Sequence, residues 1–386
     1  MKRKIAIVSG GRSDYGLLYW IIRGIHEDPD LQLQLIVTGM HLSPEFGMTV
    51  KVIDNDGFPI ADKVEMLLSS DTESAIATSM GLGMIGFAKA YARLKPDLII
   101  VLGDRFEILS AVTSAIPFKI PVAHIHGGEL TEGAIDDLCR HAITKMSHIH
   151  FPATELCAQR IKQMGENPDN IFCFGSPSLD NFYRLELMSR KKLCEALCIP
   201  VDKRIGIITY HPVTIEKDSS EVQVLELLKA IKSFSDIYWV FTMPNADTGG
   251  RIIFEILNDF VNHNSGKAKA FISLGRLKYL SLLKYASVMI GNSSSGLIEA
   301  PSFGLPTINI GSRQDGRERG INVIDVHDCR HNNINAAVIK ALSDKFKNSL
   351  KDMENPYGTG NASSNILKTI KSKVLIGITK KSFYNI

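Results

Sequence analysis

Short runs of β-branched and aliphatic residues recur along this chain. Each is halted by glycine or a polar cluster and followed by a segment with helical spacing. Lys4–Ser9, Leu31–Thr38, Asp97–Leu102, Pro121–Ile125, His148–Phe151 and Ile171–Phe174 form a first series. Arg204–Thr209, Ile237–Thr242, Ala270–Ile272, Val288–Ile290 and Pro306–Ile310 form a second. Between strands, Tyr15, Leu18, Ile22 and Ile25 recur with helical period, and Thr72 to Leu94 reads as a longer helix. This alternation predicts parallel sheets covered by helices on both faces, an α/β fold with two doubly wound halves. Gly175–Pro177 and the charged, leucine-rich stretch Arg184 to Leu197 separate the two series. A last amphipathic segment, Ile366 to Leu375, follows the loop Pro356–Gly360.

In such sheets ligands bind beyond the carboxyl ends of the strands, so the residues that stop each strand carry the functional information. The densest stretch runs from Ser287 to Arg319. After Val288–Ile290, Gly291 and Asn292 break the strand, and Ser293 and Ser294 stand where a helix beginning near Gly296 would present unpaired N–H groups. Those hydroxyls, the N–H groups and the positive helix end suit a phosphate or diphosphate. Serines after a strand can also simply cap a helix. Glu299 would repel a phosphate, so its natural partner is a pair of neutral hydroxyls, as on a ribose. Arg313, Arg317 and Arg319 offer the charge to close a diphosphate clamp. His211, in Thr209-Tyr-His-Pro212, ends another strand and is read as a phosphate ligand. The strand ending at Thr242 leads to Asn245 and Asp247.

Carboxylates crowd the strand ends of the first half. Leu102-Gly-Asp-Arg-Phe-Glu107 and His124-Ile-His-Gly-Gly-Glu129 each follow a buried strand, and Ile135-Asp-Asp opens a helix. Asp104, His126, Glu129 and Asp136 would converge on one cleft. Singly, Asp136 could be a helix cap and Asp104 a surface partner of Arg105. Grouped carboxylates are costly unless their charge is used.

Composition excludes several classes. The 386 residues are 45% hydrophobic and 22% charged, an ordinary globular balance with length enough for two domains. A net charge of +3 is too small to imply nucleic acid or an anionic membrane as partner. No apolar run approaches the ~18 residues that span a bilayer, and the N-terminus enters a strand directly, so the cytoplasm is the default location. The six cysteines lack any CxxC spacing, which favours free buried thiols over disulfides or zinc.

The motifs GGRSDYG, TGMHLSPEFG, LGDRFE, HIHGGE, AIDDLCRHAITKMS, NADTG, GNSSSGLIEAPS and INIGSRQDGR, in this order, resemble the hydrolysing UDP-N-acetylglucosamine 2-epimerases of bacterial sialic acid synthesis. The resemblance runs from the first strand to about residue 327. It implies the GT-B architecture: an N-terminal Rossmann-like domain over 1–178, a UDP-binding one over 179–362, and a final helix, 363–386, returning to the first domain. It also implies a homodimer or homotetramer. Position by position, its UDP contacts fall on Arg12, His211, Asn245, Ser293, Ser294, Glu299 and Arg313. Its acid–base group falls on Asp104 and Asp136, with Arg140 as charge partner. Where some relatives carry glutamate, this chain has His126; either Glu129 supplies that carboxylate or His126 acts itself.

The chemistry so implied releases UDP from a 2-acetamido sugar, forms a glycal and hydrates it with inversion at C2. It calls for no metal or other cofactor, since arginines and a helix start would neutralise the diphosphate. UDP-N-acetylglucosamine and UDP-2,4-diacetamido-2,4,6-trideoxyglucose, the sugar of legionaminic acid synthesis, are the two candidate substrates. Polar residues His41, Ser43 and Glu45 in the loop Gly39 to Gly47 lean the choice towards the former. A GT-B glycosyltransferase, or a non-catalytic nucleotide-sugar sensor, would share the nucleotide clamp but would not need the carboxylates.

Overall fold

The structure is a computed structural model that describes residues 2–70, 72–131, 135–212, 219–243 and 250–386. The chain divides into two compact units. The first comprises Met1–Glu129, Ile135–Tyr183 and Tyr357–Ile386; the second comprises Leu130–Ala134 and Arg184–Pro356.

Each unit is built on one parallel sheet of six strands. In the first unit the strands are β1 (Arg3–Ser9), β2 (Leu31–Thr38), β3 (Ile60–Val64), β4 (Leu98–Leu102), β5 (Val122–Ile125) and β6 (Ile149–Phe151), in the order β3-β2-β1-β4-β5-β6. In the second they are β7 (Arg204–Thr209), β8 (Ile237–Thr242), β9 (Ala268–Phe271), β10 (Ala286–Gly291), β11 (Thr307–Ile310) and β12 (Val323–Val326), ordered β12-β11-β10-β7-β8-β9. The expected α/β fold with two doubly wound sheets is what forms. Central strands such as β4 are buried along their whole length, because helices cover both faces of the sheet. In each sheet the chain winds outward from its first strand and then returns to that strand's other side. The order therefore reverses between β1 and β4, and again between β7 and β10, creating in each unit the crevice where such sheets take ligands.

Helix Arg12–Glu27 follows β1 and buries Tyr15, Leu18, Ile22 and Ile25, the residues its period singled out. Burying each aliphatic side chain contributes ~1.5–3 kcal/mol. The C-terminal helix Ala362–Ser372 packs on it so closely that a methyl at Gly24 would stand 2.2 Å from Leu367 Cδ1. The cap of that last helix is borrowed. Its own Asn361 makes no side-chain capping bond, and instead Asp180 accepts the N–H groups of Ala362 at 3.0 Å and Ser363 at 2.7 Å.

Three details differ from the sequence expectation. Ile171–Phe174 is not a strand: only Ile171 bridges to His150, and Phe172 and Phe174 pack their rings on Phe151. Two strands, β3 and β12, arise where no apolar run announces them. Of the six free cysteines only Cys157 and Cys194 are buried, and Cys198 is exposed. Among the described residues no helix is long and apolar enough to cross a membrane.

Candidate functional site

In the second unit, β10 ends at Gly291, whose φ is +140° and whose added Cβ would meet the Thr209 carbonyl oxygen at 1.9 Å. Only glycine fits there. The chain then turns into Asn292, which is fully buried and acts as a staple. Its Oδ1 accepts the His211 N–H at 2.7 Å and its Nδ2 donates to the His211 carbonyl at 2.8 Å. Its own carbonyl accepts from Arg313 Nη1 at 3.0 Å and from buried Gln314 Nε2 at 2.7 Å. One amide thus joins the ends of β7 and β10 to the loop after β11, and brings His211, Ser293, Ser294 and Arg313 to the β7/β10 crevice.

The serines divide between the two readings. Ser293 Oγ accepts the Ser295 N–H at 3.3 Å, a capping bond, whereas Ser294 makes no side-chain cap bond and is half-buried. The helix they precede is a single turn, Ser295–Ile298, continued by a 3-10 turn Ala300–Phe303 with half-buried Glu299 between. A macrodipole needs aligned peptides, so the expected strong helix end shrinks to a few N–H groups and hydroxyls. Arg313 is the guanidinium tied to this turn, through its bond to the Asn292 carbonyl. The other two arginines of the expected clamp are engaged elsewhere. Arg319 donates to Asp315 at 2.9 Å and to the Gln314 carbonyl at 3.0 Å, and pairs with Asp325. Arg317 donates to the Leu130 carbonyl at 2.8 Å and to Thr131 Oγ1 at 3.1 Å. Asn245 and Asp247 lie outside the described residues.

In the first unit Asp104 follows β4, beyond Gly103 in the left-handed region at φ +77°. Its carboxylate pairs with Arg140, whose side chain is only 2% exposed. Arg140 Nη1 also donates to the Glu129 carbonyl at 3.0 Å and stands 3.8 Å from Asp137 Oδ1. A buried guanidinium thus ties together the strand ends of β4 and β5 and the start of helix Asp136–Met146. Asp136 is half-buried in the first turn of that helix. Burial, then Asp136 and Glu107, push the Cys139 thiol up to about 11, so both carboxylates act on the same spot. His126, a non-glycine residue at φ +63°, places Nδ1 2.6 Å from Glu129 Oε1 and Nε2 3.0 Å from Ser176 Oγ. The two candidates for the acid–base role at this position stand in close contact. Arg12 opens helix Arg12–Glu27 at the β1/β4 crevice and is half-buried.

The sequence points past a second charged cluster at the same crevice. Arg105 Nε lies 3.2 Å from Glu107 Oε2, and Glu107 is fully buried. Asp14, also buried, accepts the Gly10 N–H at 3.2 Å. Burial raises both carboxyl pKa values, and Arg105 opposes the rise in each. One arginine facing two buried carboxyls favours retaining a proton in the group. The signal is present in LGDRFE and GGRSDYG, where the sequence reading turns on Asp104 and Arg12 and passes over Asp14 and Glu107. Asn292 is likewise hidden, because a residue after a glycine break reads only as part of the turn.

Two doubly wound parallel sheets, one ending in a cluster of carboxylates, arginines and histidine and the other in a serine turn with an arginine, define an α/β protein of the GT-B type. The chain belongs to the UDP-N-acetylglucosamine 2-epimerase family, whose sequence profile matches residues 23–371. It is 43% identical over 386 residues, 100% of both chains, to GDP/UDP-N,N'-diacetylbacillosamine 2-epimerase (hydrolyzing) of Campylobacter jejuni. It is 38% identical over 372 residues, 96% of both chains, to UDP-N,N'-diacetylbacillosamine 2-epimerase (hydrolyzing) of Legionella pneumophila. The fold matches the crystal structure of UDP-GlcNAc 2-epimerase from Neisseria meningitidis bound to UDP-GlcNAc with a TM-score of 0.80 at 19% identity, covering 96% of this chain and 100% of that one.

Proposed function

We propose that the protein is a hydrolysing UDP-sugar 2-epimerase, and that its substrate is the UDP-linked 2,4-diacetamido-2,4,6-trideoxy sugar rather than UDP-N-acetylglucosamine. The observation that carries the reaction type is Asp104 paired to buried Arg140, with the His126–Glu129 pair beside it through the Arg140 bond to the Glu129 carbonyl. A transferase or a sensor has no use for that set. In the reaction, Arg313, Ser294 and His211 bind the diphosphate, and Glu299 takes the ribose hydroxyls. As the C1–O bond ionises, its electron pair leaves with UDP and the departing charge is met by these groups. A base of the acid–base group removes the C2 proton, and the C–H pair becomes the C1–C2 double bond of a glycal. Water then adds its hydroxyl to C1, and a proton returns to the opposite face of C2.

The substrate choice reverses the lean of the sequence, and two considerations support the reversal. His41, one of the three polar candidates in the loop 39–47, is fully buried and bonded to Ser9 Oγ at 2.9 Å and Thr49 Oγ1 at 2.8 Å. Its polarity serves the fold. In the same loop Leu42 and Met48 pack against the core, and half-buried Phe46 stands beside Ser43 and exposed Glu45, an apolar ring better suited to a 6-methyl than to a 6-hydroxyl. The two relatives named above also carry the diacetamido sugar in their names. An apolar wall discriminates only ~10–200-fold, so the expected advantage in kcat/KM over UDP-N-acetylglucosamine lies in that range.

The test is product analysis in D2O with three substrates: UDP-N-acetylglucosamine and the UDP- and GDP-linked diacetamido sugars. One deuterium should appear at C2 of a free manno-configured sugar. Release of nucleotide only on adding an acceptor would establish a transferase instead. A preference for UDP-N-acetylglucosamine would return the substrate to the other branch and leave the reaction standing.

A further inference from the structure

Arg140 and Thr144 stand one turn apart on helix Asp136–Met146, and side chains so spaced share a face. Both are buried. Arg140 pairs with the Asp104 carboxylate, while Thr144 Oγ1 lies 3.1 Å from His124 Nδ1, and His124 Nε2 reaches the Gly103 carbonyl at 2.7 Å. Gly103 immediately precedes Asp104, so the contacts close into a circuit of Asp104, Arg140, one helical turn, Thr144, His124 and Gly103. We propose that His124, backed by Thr144, is a positioning residue for Asp104, clamping the Gly103 peptide so that the carboxylate after it meets Arg140 in one orientation. The inference rests on the acid–base role proposed for Asp104 above.

In a neutral imidazole each of these bonds has one direction. A carbonyl only accepts, so the ring hydrogen is on Nε2, and Nδ1 is left as an acceptor for the Thr144 hydroxyl. The ring stays neutral because burial pulls its pKa from 6.5 to about 3. The Thr144 hydroxyl is committed to this use. Ser110, Ser114 and Ser147 each donate to the carbonyl four residues earlier, at 3.0, 2.8 and 2.7 Å, the ordinary outlet for a helical hydroxyl. Thr144 turns to the imidazole instead. A methyl at Gly127 would stand 2.9 Å from both His124 Nδ1 and Thr144 Oγ1, so the first glycine after His126 leaves room for that bond to close.

The clamp falls where the backbone would otherwise turn most freely. Gly103 has φ +77°, and an added Cβ would meet nothing within 4 Å, so glycine is needed there for its conformation and not for space. Two consecutive residues of β5 hold this joint: the Ile125 carbonyl accepts the Gly103 N–H at 3.0 Å, and the His124 ring donates to the Gly103 carbonyl. Among Leu98–Leu102 and Val122–Ile125, His124 is the one polar side chain. An aliphatic residue would fill the core there with no polar group to desolvate. What the imidazole adds is a donor aimed at one carbonyl, the one that leads into Asp104.

The experiment compares His124→Leu, His124→Gln, Thr144→Val and Thr144→Ser in the full chain. His124→Leu should lower kcat about 10- to 100-fold, the scale of misplaced catalytic groups, while KM and UDP affinity stay within about twofold. His124→Gln, whose amide keeps a donor for Gly103, and Thr144→Val should lose less, and Thr144→Ser, which keeps the hydroxyl, should retain most of the rate. In an Asp104→Asn background His124→Leu should cost less than about threefold more, because residues that act through one another are not additive. Glycine labelled with 13C at the carbonyl and aspartate with 15N single out one peptide, since Gly103–Asp104 is the one Gly-Asp pair in the chain. Its NMR signal should move in His124→Leu and Thr144→Val and stay in Thr144→Ser, a readout that needs no turnover. Unchanged kcat in His124→Leu of an active enzyme overturns the inference. So does a full additive loss in the Asp104→Asn background, or a Gly103 signal that ignores both substitutions. Should His124→Leu fail to fold, Thr144→Val against Thr144→Ser carries the same test. A wild-type chain that releases no UDP from any of the three sugars would instead defeat the reaction assignment, and the labelled peptide would still decide whether His124 holds Gly103.

Discussion

The two strand-order reversals are architectural copies with opposite chemistry. At and beside β1/β4 the strand ends carry clustered titratable groups: Asp14, Arg105 and Glu107 in one cluster, and Asp104 with Arg140 and, after β5, His126 with Glu129 in another. At β7/β10 a neutral amide, Asn292, does the holding, and the residues gathered around it are His211, Gln314, the serines and one guanidinium, Arg313. The sheet supplies a crevice in both. What it is used for depends on residues that sit one or two positions past each strand, where substitution costs the core nothing. Buried groups with shifted pKa values suit a proton-moving centre, the role proposed for the first unit.

That division can be broken most sharply at Asp104. Asp104→Asn keeps the shape and removes the charge, and should cut kcat by ~10²–10⁴-fold with UDP affinity nearly intact. Isothermal calorimetry showing a matching loss of UDP binding would erase the distinction between the units. Next in size, Arg313→Ala should weaken UDP by roughly ten- to a hundredfold, the range of one charge-assisted hydrogen bond, with kcat at saturating substrate much less affected. A large kcat loss with unchanged Kd would place Arg313 in the chemistry.

Acid should separate the units through stability. Burial lowers His124 from 6.5 to about 3 and His41 from 6.5 to about 4. Their folded values lie below the unfolded one, so the unfolded chain binds the extra protons. The stability present above pH 6.5 drains away as pH falls towards 4 and then 3. Glu166 adds to this: burial raises its pKa, but bonds from His150, Lys145 and Lys381 bring it to about 2, so its contribution is lost below 4.5. Asp14 and Glu107, raised by burial, act in the other direction and favour the folded state once protonated. With more groups on the losing side, peptides around β5 should gain hydrogen exchange between pH 6.5 and 4 before those around Asn292. Simultaneous opening would refute it. Smallest of all, Arg319→Ala should change UDP affinity by less than about threefold, as for an arginine whose donors serve a surface network. A loss like that of Arg313 would restore Arg319 to the clamp.

How much of this the sequence reveals follows from burial. β4 and β10 announce themselves because helices cover them on both sides and their residues must be apolar. β3 and β12 lie at sheet edges with half-buried residues, so nothing in Ile-Ala-Asp-Lys-Val compels a strand. Phe172 and Phe174 mislead in the opposite sense, since aromatic residues that stack on Phe151 outside the sheet have the same period as a strand. At the site, the pairing of Asp104 with Arg140 agrees with the sequence expectation of a carboxylate at a strand end and a charge partner near a helix start. Arg317 and Arg319 are not legible, because an arginine's role is set by which carboxylate or carbonyl the fold brings near. Their partners Leu130 and Asp325 come from the far side of a domain boundary in sequence and from a neighbouring edge strand.

The borrowed helix cap bears on how the protein is made. Asp180 lies just before the chain leaves the first unit, and the helix it caps, Ala362–Ser372, comes only after the whole second unit has been synthesised. Until then the face of helix Arg12–Glu27 around Gly24, which receives Leu367, has nothing to cover it. The second unit can close on the ribosome, but the first, though begun earlier, must wait for the final thirty residues, Tyr357–Ile386. The first unit thus matures after the second, and a chain cut short after the second unit would leave an apolar groove open to chaperones and proteases.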